Sequence, residues 1–381
     1  MIIKTKDFQE AANKILLAAD LDKNAANLEL IAKDNWLFLN VTNREFYVSV
    51  KFQLTEPTEF HAVVDASLFL SLISGITDET FKLTVNATNI VLTSGKSNYK
   101  LAMIYENDNL MTLPTITIKN KTVEMPISNE ILSSILNVNS KELLKLKNAA
   151  GTVNELQRLY YIDETGCFTF TTGACLNAFT LEKPVKLLLN DRIVKLFKLF
   201  KTDVQFSLGQ DATSSGNIIT KVCFETENIY LAAIITCDDL LIDKVRGPSD
   251  ATKRYINETY SQRLVISVNE FFNAISRLQS FNKNNKSAID KASSTFMPVS
   301  ITIADGTNMI IKDKFDNQEY VTIANGSYSE GDYTFGVNLI DLRLVLESCK
   351  NEHITFNCGN QRSIIIVRGP ISNLIPEVKL N

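Results

Sequence analysis

The sequence predicts an α+β chain of three tandem, similar domains, each with two helices packed on antiparallel sheets. Three observations lead there. At 381 residues the chain has the length of two or three domains rather than one core. A helix signature recurs three times, and a second helix follows each copy at a nearly constant distance. The signature lies in KDFQEAANKIL (6–16), SNEILSSILNV (128–138) and VNEFFNAISRL (268–278). Each sets apolar residues at helical spacing: Phe8, Ala12 and Ile15; Ile131, Ile135 and Val138; Phe271, Ile275 and Leu278. Asp7, Asn129 or Asn269 stands just ahead of each pattern, where a side-chain oxygen can cap the helix.

The second helices are expected in DASLFLSLISGIT (65–77), NDRIVKLFKLFK (190–201) and NLIDLRLVLESCK (338–350). Ile73 follows Phe8 by 65 residues, Leu196 follows Ile131 by 65, and Leu346 follows Phe271 by 75. The longer third interval fits a polar insertion, NKNNKSAIDKASS (282–294). Alternating, strand-like runs come after every second helix, in FKLTVNATNIVLTS, in VQFSLGQ continuing to IITKVCFETENIYLAAII, and in ITFNCGNQRSIIIVRG. The unit is helix, strands, helix, strands, three times over. Polar, turn-forming stretches, KNKTVEMPIS and RGPSDATKRY, put the domain boundaries near residues 122 and 250, giving domains 1–122, 123–252 and 253–381.

Composition narrows the function. Hydrophobic residues are 45% and charged residues 22%, an ordinary globular balance that excludes bulk disorder. No apolar run approaches the roughly 20 residues that cross a bilayer, and no apolar segment backs the first lysines, so no membrane association is expected. Cys167, Cys175, Cys223, Cys237, Cys349 and Cys358 form no CxxC pair, which suits free thiols in a reducing cytoplasm. His61 and His353 are the only imidazoles, a poor supply for acid–base or metal chemistry. The net charge of −4 excludes a protein that coats nucleic acid by an overall positive excess, while leaving room for one basic surface.

Several segments resemble the bacterial DNA polymerase III beta subunit, or sliding clamp, family. They are the opening MIIKTKDF, the LFLNVTNREFYVSV hairpin, LYYI with TTGACLNAF in the middle third, FGVNLIDLRLVLES, and the tail LIPEVKLN. The resemblance spans the chain through order and spacing rather than a strict fingerprint. It implies the DNA clamp fold in a ring-shaped, head-to-tail homodimer, with strands outside and helices lining a hole through which duplex DNA passes. It implies no catalytic residue, cofactor or metal. The partners implied are sequence-independent double-stranded DNA, the replicative polymerase, the clamp loader and a second copy of the chain, in a bacterial cytoplasm or a phage-infected cell.

Segment 183–201 holds six cations, Lys183, Lys186, Arg192, Lys195, Lys198 and Lys201, against one acid, Asp191. On a helix, Ile193, Leu196, Phe197 and Phe200 gather on one side and Arg192, Lys195, Lys198 and Lys201 on the other. By itself this is equally an ordinary solvated face; the resemblance makes it a phosphate-contacting pore lining, with Lys14, Arg277 and Arg343 as further candidates. The resemblance also implies a hydrophobic cleft for partner peptides at Ile162, Thr171, Gly173, Leu176, Leu240, Val245, Ile375, Pro376, Val378 and Leu380. Ala174, Cys175 and Leu240 depart from the family pattern and bear on which peptides are preferred. Without the resemblance, the tail reads as a frayed terminus or a cover over a core edge. Closure of the dimer is expected at Leu101, Met103 and Ile104, on an edge strand where Leu101 and Met103 share a face, opposite Leu278 and Phe281. The same apolar residues also read as ordinary core.

Other signals carry less. GKSN (95–98) sits between strands and reads as a hairpin turn rather than a phosphate loop. CDDLLID (237–243) has three aspartates but reads as the entry to an interdomain linker. The competing classes are a clamp-fold scaffold or decoy that binds clamp-interacting peptides without a ring, and a thiol-dependent hydrolase, which needs a Cys–His pair in space.

Overall fold

The computed structural model describes residues 1–21, 26–138, 159–163, 166–170, 175–178, 181–183, 185–212, 216–235, 239–284, 296–304, 306–327, 332–347, 349, 352–360, 362–369 and 371–380. The chain opens with β1 (Ile2–Lys4), α1 (Thr5–Ala19), β2 (Asn27–Lys33), β3 (Trp36–Thr42), β4 (Phe46–Gln53), β5 (Phe60–Asp65) and α2 (Ala66–Gly75). β6 (Thr80–Val85), β7 (Asn89–Ser94), β8 (Ser97–Ala102), the short β9 (Tyr105–Glu106) and β10 (Asn109–Leu110), and β11 (Lys121–Ile127) follow. The middle third contributes α3 (Asn129–Val138), β12 (Leu159–Asp163), β13 (Gly166–Phe170), β14 (Cys175–Ala178), β15 (Leu187–Asn190), α4 (Asp191–Leu196), β16 (Val204–Ala212), β17 (Ile218–Glu225) and β18 (Ile229–Ile235). The last third holds α5 (Asp239–Ile256), β19 (Gln262–Ser267), α6 (Val268–Asn284), β20 (Pro298–Ala304), β21 (Asn308–Lys312), β22 (Gln318–Ser327), β23 (Tyr333–Asn338), α7 (Leu339–Glu347), β24 (His353–Cys358), β25 (Ser363–Arg368) and β26 (Ile371–Pro376).

A helix stands at each of the six positions that the repeated pattern predicts, but the caps differ from those expected. Asp7 lies inside the first turn of α1, Asn129 begins α3, and Asn269 is already helical in α6. Side-chain caps sit instead at strand ends: on α6 Ser267 Oγ accepts from Glu270 N at 3.4 Å, and on the second helices, for which no cap is expected from sequence, Asp65 accepts from Leu68 N at 2.7 Å, Asn190 from Ile193 N at 3.0 Å, and Asn338 from Ile340 N at 3.3 Å. Strand passes to helix with no intervening loop, so each cap belongs to the preceding strand. The larger difference is α5, which stands where the sequence pattern predicts a linker and a boundary. Its buried positions Ile242, Ser249 and Thr252, with half-buried Ile256, recur at helical spacing. Two of these described positions are hydroxyl residues, which weakens in its second half the apolar pattern that advertises a helix.

Two compact units emerge: Met1–Asn129 with Lys195–Thr236, and Glu130–Val194 with Cys237–Asn381. In the first, an eight-stranded antiparallel sheet runs β11-β16-β17-β18-β4-β3-β2-β5, and a four-stranded sheet runs β1-β6-β7-β8. The hairpin joining β7 and β8 turns through Gly95, whose φ of +56° favours glycine. The face of the large sheet carrying Leu28, Leu30, Leu37, Leu39, Val48 and Val50 is buried under α1 and α2. There Phe8 packs edge-on against Phe52 at 5.2 Å and Phe81 at 5.5 Å between ring centroids.

In the second unit a twelve-stranded sheet runs β15-β12-β13-β14-β26-β25-β24-β19-β22-β21-β20-β23. One core lies beneath α6 and α7, with Phe271, Ile275, Leu342, Val345 and Phe356 fully or almost fully buried. A separate cluster, Tyr161, Leu188, Ile242, Ile365 and Leu374, is closed by α5. Neighbouring residues such as Leu374 and Ile375 serve different clusters because successive strand residues face opposite sides.

Candidate nucleic-acid and partner interfaces

Segment 190–201 is shorter as a helix than its pattern suggests. After α4 the chain tightens into a 3₁₀ turn at Phe197–Leu199, and Phe200 is already extended at φ −92°, ψ 136°. Ile193, Val194, Leu196, Phe197, Leu199 and Phe200 are buried, and the Phe197 ring meets Phe224 at 4.8 Å. Driving all six apolar groups inward takes more than one helical stripe, which the change of helix type provides. Arg192, Lys198 and Lys201 are exposed and Lys195 is half-buried, so the cations occupy what the apolar residues leave.

The candidate cations on other helices each have a partner. Lys14 pairs with Glu10 at 3.3 Å. Arg277 makes a two-pronged contact to Glu319, at 2.8 and 2.7 Å. Arg343 is half-buried, hydrogen-bonded to Gln279 and 4.0 Å from Glu347. A cation already held by a carboxylate contributes less to phosphate binding than one facing water.

For the expected peptide cleft, Ile162 lies on β12, Leu176 on β14, and Leu240 and Val245 on α5, each described for its backbone only. Thr171, Gly173 and Ala174 lie outside the described residues. β14 pairs antiparallel with β26, with Cys175 opposite Leu374 and Ala178 opposite Ser372. α5 is tied across this region by Lys253 to Asp163 at 2.6 Å and by Arg246, which hydrogen-bonds Tyr161. Arg246 is an exposed cation beside Val245 that no sequence motif singles out. The helix that displays it has the composition of a linker.

The tail is ordered rather than frayed. Val378 N donates to Gly336 O at 2.9 Å, Glu377 N to Arg362 O at 2.9 Å, and a Cβ on Gly336 would stand 2.3 Å from Val378 O. Ile375 is fully buried in the core under α6 and α7, so it backs the surface instead of forming it. Pro376 and Val378 are half-buried and Leu380 is 46% exposed, leaving these three as the accessible apolar part of the tail.

At the expected dimer seam, β8 is the outer strand of its sheet. Leu101 is 2% exposed and faces its own core opposite Ile90. Met103 does not continue that strand face as expected: β8 ends at Ala102, and the chain crosses over so that Ile104 N bonds Val63 O at 2.8 Å. Met103 and Ile104 are half-buried, Leu278 is core at 3% exposure, and Phe281 on α6 is 55% exposed.

No cluster of three or more His, Cys, Asp or Glu with metal-binding geometry occurs among the described residues. Burial pushes the Cys223 thiol up to about 12 and raises those of Cys349 and Cys358, which disfavours the nucleophilic thiolate. His61 is engaged with Glu29 at 2.9 Å.

No protein-family model matches the sequence. Among curated proteins, the beta sliding clamp of Mycoplasmopsis pulmonis is 26% identical over 165 residues, spanning 40% of this chain and 39% of that protein. That of Rickettsia felis is 24% identical over 292 residues, 73% of this chain and 72% of the relative. Among solved structures, the DNA polymerase III beta chain of Streptococcus pneumoniae superposes with a TM-score of 0.66 at 16% identity, covering 100% of this chain and 99% of that one. The Helicobacter pylori beta clamp bound to a DNA ligase peptide gives 0.66 at 16%, and the Borrelia burgdorferi subunit 0.68 at 13%, both with the same coverage. The chain therefore has the fold of the DNA polymerase III beta chains along its whole length.

Proposed function

We propose that this chain is a DNA sliding clamp, a non-catalytic accessory subunit that tethers a polymerase and other partners to duplex DNA. The observation that carries the reading is the whole-length match in fold to beta clamps, joined to sequence similarity with two named beta sliding clamps. Two chains close head to tail into a ring of six repeats, and the topology of the ring holds it on DNA. Its three repeats span 1–122, 123–252 and 253–381. Arg192, Lys195, Lys198 and Lys201 are the main phosphate contacts, and their sequence-independent attraction lets the ring slide.

Partner peptides dock along the β14–β26 region beside α5, with Pro376, Val378 and Leu380 as apolar contacts. A ligase peptide bound to the H. pylori clamp supports peptide docking as the mode of partner capture. The direct test is the solution mass by light scattering, with negative-stain images of the same peak. A two-chain particle with an open centre is expected. A compact monomer at micromolar concentration would overturn the tether and favour a peptide-binding scaffold.

A further inference from the structure

We infer that residues 104–120 form a strap that locks the eight-stranded sheet across the β18–β4 junction, with Glu29 and Tyr230 as its anchors on the two sides. The junction joins strands more than 170 residues apart, Ala232 standing opposite Tyr47. Helices α1 and α2 cover one face of the β2–β5 part of this sheet; the strap leaves the free edge of β5 and touches the other face at β2, β4, β18, β17 and β16. Ile104 N donates to Val63 O on β5 at 2.8 Å, and Leu113 N to Glu29 Oε1 on β2 at 3.3 Å. Past the junction, Tyr230 Oη on β18 donates to Ile116 O at 3.0 Å and Lys221 Nζ on β17 to Thr117 O at 2.8 Å. Lys119 N reaches Asp211 Oδ2 on β16 at 3.4 Å.

The apolar side of the strap lands on the junction itself. Ile116 is 5% exposed and is clustered with Tyr47, Ala232 and Cys223, the first two being the strand partners that define the junction. The Tyr47 and Tyr230 rings meet edge-on at 6.1 Å beside it. The Glu29 anchor is built for a single arrangement: at 2% exposure its carboxylate accepts from Asn40 Nδ2 at 3.1 Å, His61 Nε2 at 2.9 Å and Leu113 N. The strap supplies the third of these donors. Removing the strap would leave a buried carboxylate short of one partner, which ties strap docking to the integrity of the sheet below. Within the ring proposed above, this device would set the stiffness between the first and middle repeats.

The test is hydrogen–deuterium exchange on the free full-length chain, which needs neither DNA nor a ring. Glu29→Ala and, more gently, Tyr230→Phe are expected to speed exchange of the Leu113 and Lys119 amides by about tenfold. The same variants should also speed β4 and β18 amides at the junction, while α6 and β24 amides stay unchanged. Glu29→Gln keeps Oε1 as the acceptor for Leu113 N, and a flip of the Asn40 amide turns its otherwise unpartnered Oδ1 toward the new Nε2 donor, so strap exchange should stay much closer to the parent rate than in Glu29→Ala. Faster strap exchange with unchanged junction amides would overturn the lock. So would unchanged strap amides in both disruptive variants. Neither result depends on the mass measurement that tests the clamp reading.

Discussion

Lys253 Nζ stands 2.6 Å from Asp163 Oδ2, joining the last turns of α5 to the end of β12 over 90 residues of sequence. The pair is partly buried, with side-chain exposures of 26% and 10%. It fixes the helix that carries Leu240, Val245 and Arg246 over strands that carry Ile162 and Leu176. Lys253→Met should remove the 2.6 Å ion pair to Asp163 and loosen α5. Peptide affinity is expected to fall several-fold while the oligomer is retained, and titration with a labelled clamp-binding peptide would measure it.

The cationic face makes a salt-dependent prediction. Lys198→Ala with Lys201→Ala should lower the slope of log affinity against log salt by about 2 for duplex DNA, since each phosphate contact contributes about 0.9. Arg277→Ala should change the slope less, because Glu319 already holds that guanidinium. Equal slopes for all variants would remove segment 190–201 from the DNA interface.

The tail can be tested without damaging the core. Deleting residues 377–381 removes Val378 and Leu380 and should abolish polymerase stimulation while preserving folding and mass. A deletion starting at Ile375 is a different experiment. Ile375 is fully buried, and its truncation to Ala alone is expected to cost about 2–5 kcal/mol, visible as a lowered unfolding midpoint.

Glu377 provides a pH signature. Burial raises its carboxyl above the ordinary 4.5, partly opposed by the Tyr333 hydroxyl at 3.4 Å. A raised carboxylate favours the folded tail below pH 4.5, and that contribution is lost as pH rises through the folded value. Glu377→Gln should therefore strengthen tail docking at neutral pH and flatten its dependence above pH 4.5. Exchange of the Val378 amide as a function of pH reports this directly.

Thiol chemistry should be irrelevant to function. Cys223, Cys349 and Cys358 are held up by burial, so alkylation of the native protein at pH 8 should spare these three and unfolding should expose them. Replacing His61 and His353 together should leave partner binding intact; loss of binding with the fold retained would reopen a catalytic reading.

The amino-acid sequence determined the α+β class, the six repeated helices and their near-constant separation, because amphipathic patterns are local and survive in any copy of the repeat. Phe8, Ile131 and Phe271 mark the same position in three helices by their spacing alone. Tertiary structure decided how the repeats merge. Pairing of Ala232 with Tyr47 and of Leu374 with Cys175 makes sheets that run past the boundaries the linkers suggest. Strand pairing across such distances leaves no periodic trace, since an edge strand has the same alternation whether its neighbour is near or far in sequence. The same holds for α5, whose buried face is built partly of Ser249 and Thr252, and for Ile375. Alternation shows that Leu374 and Ile375 face opposite ways, and only packing tells which of them meets the core under α6 and α7.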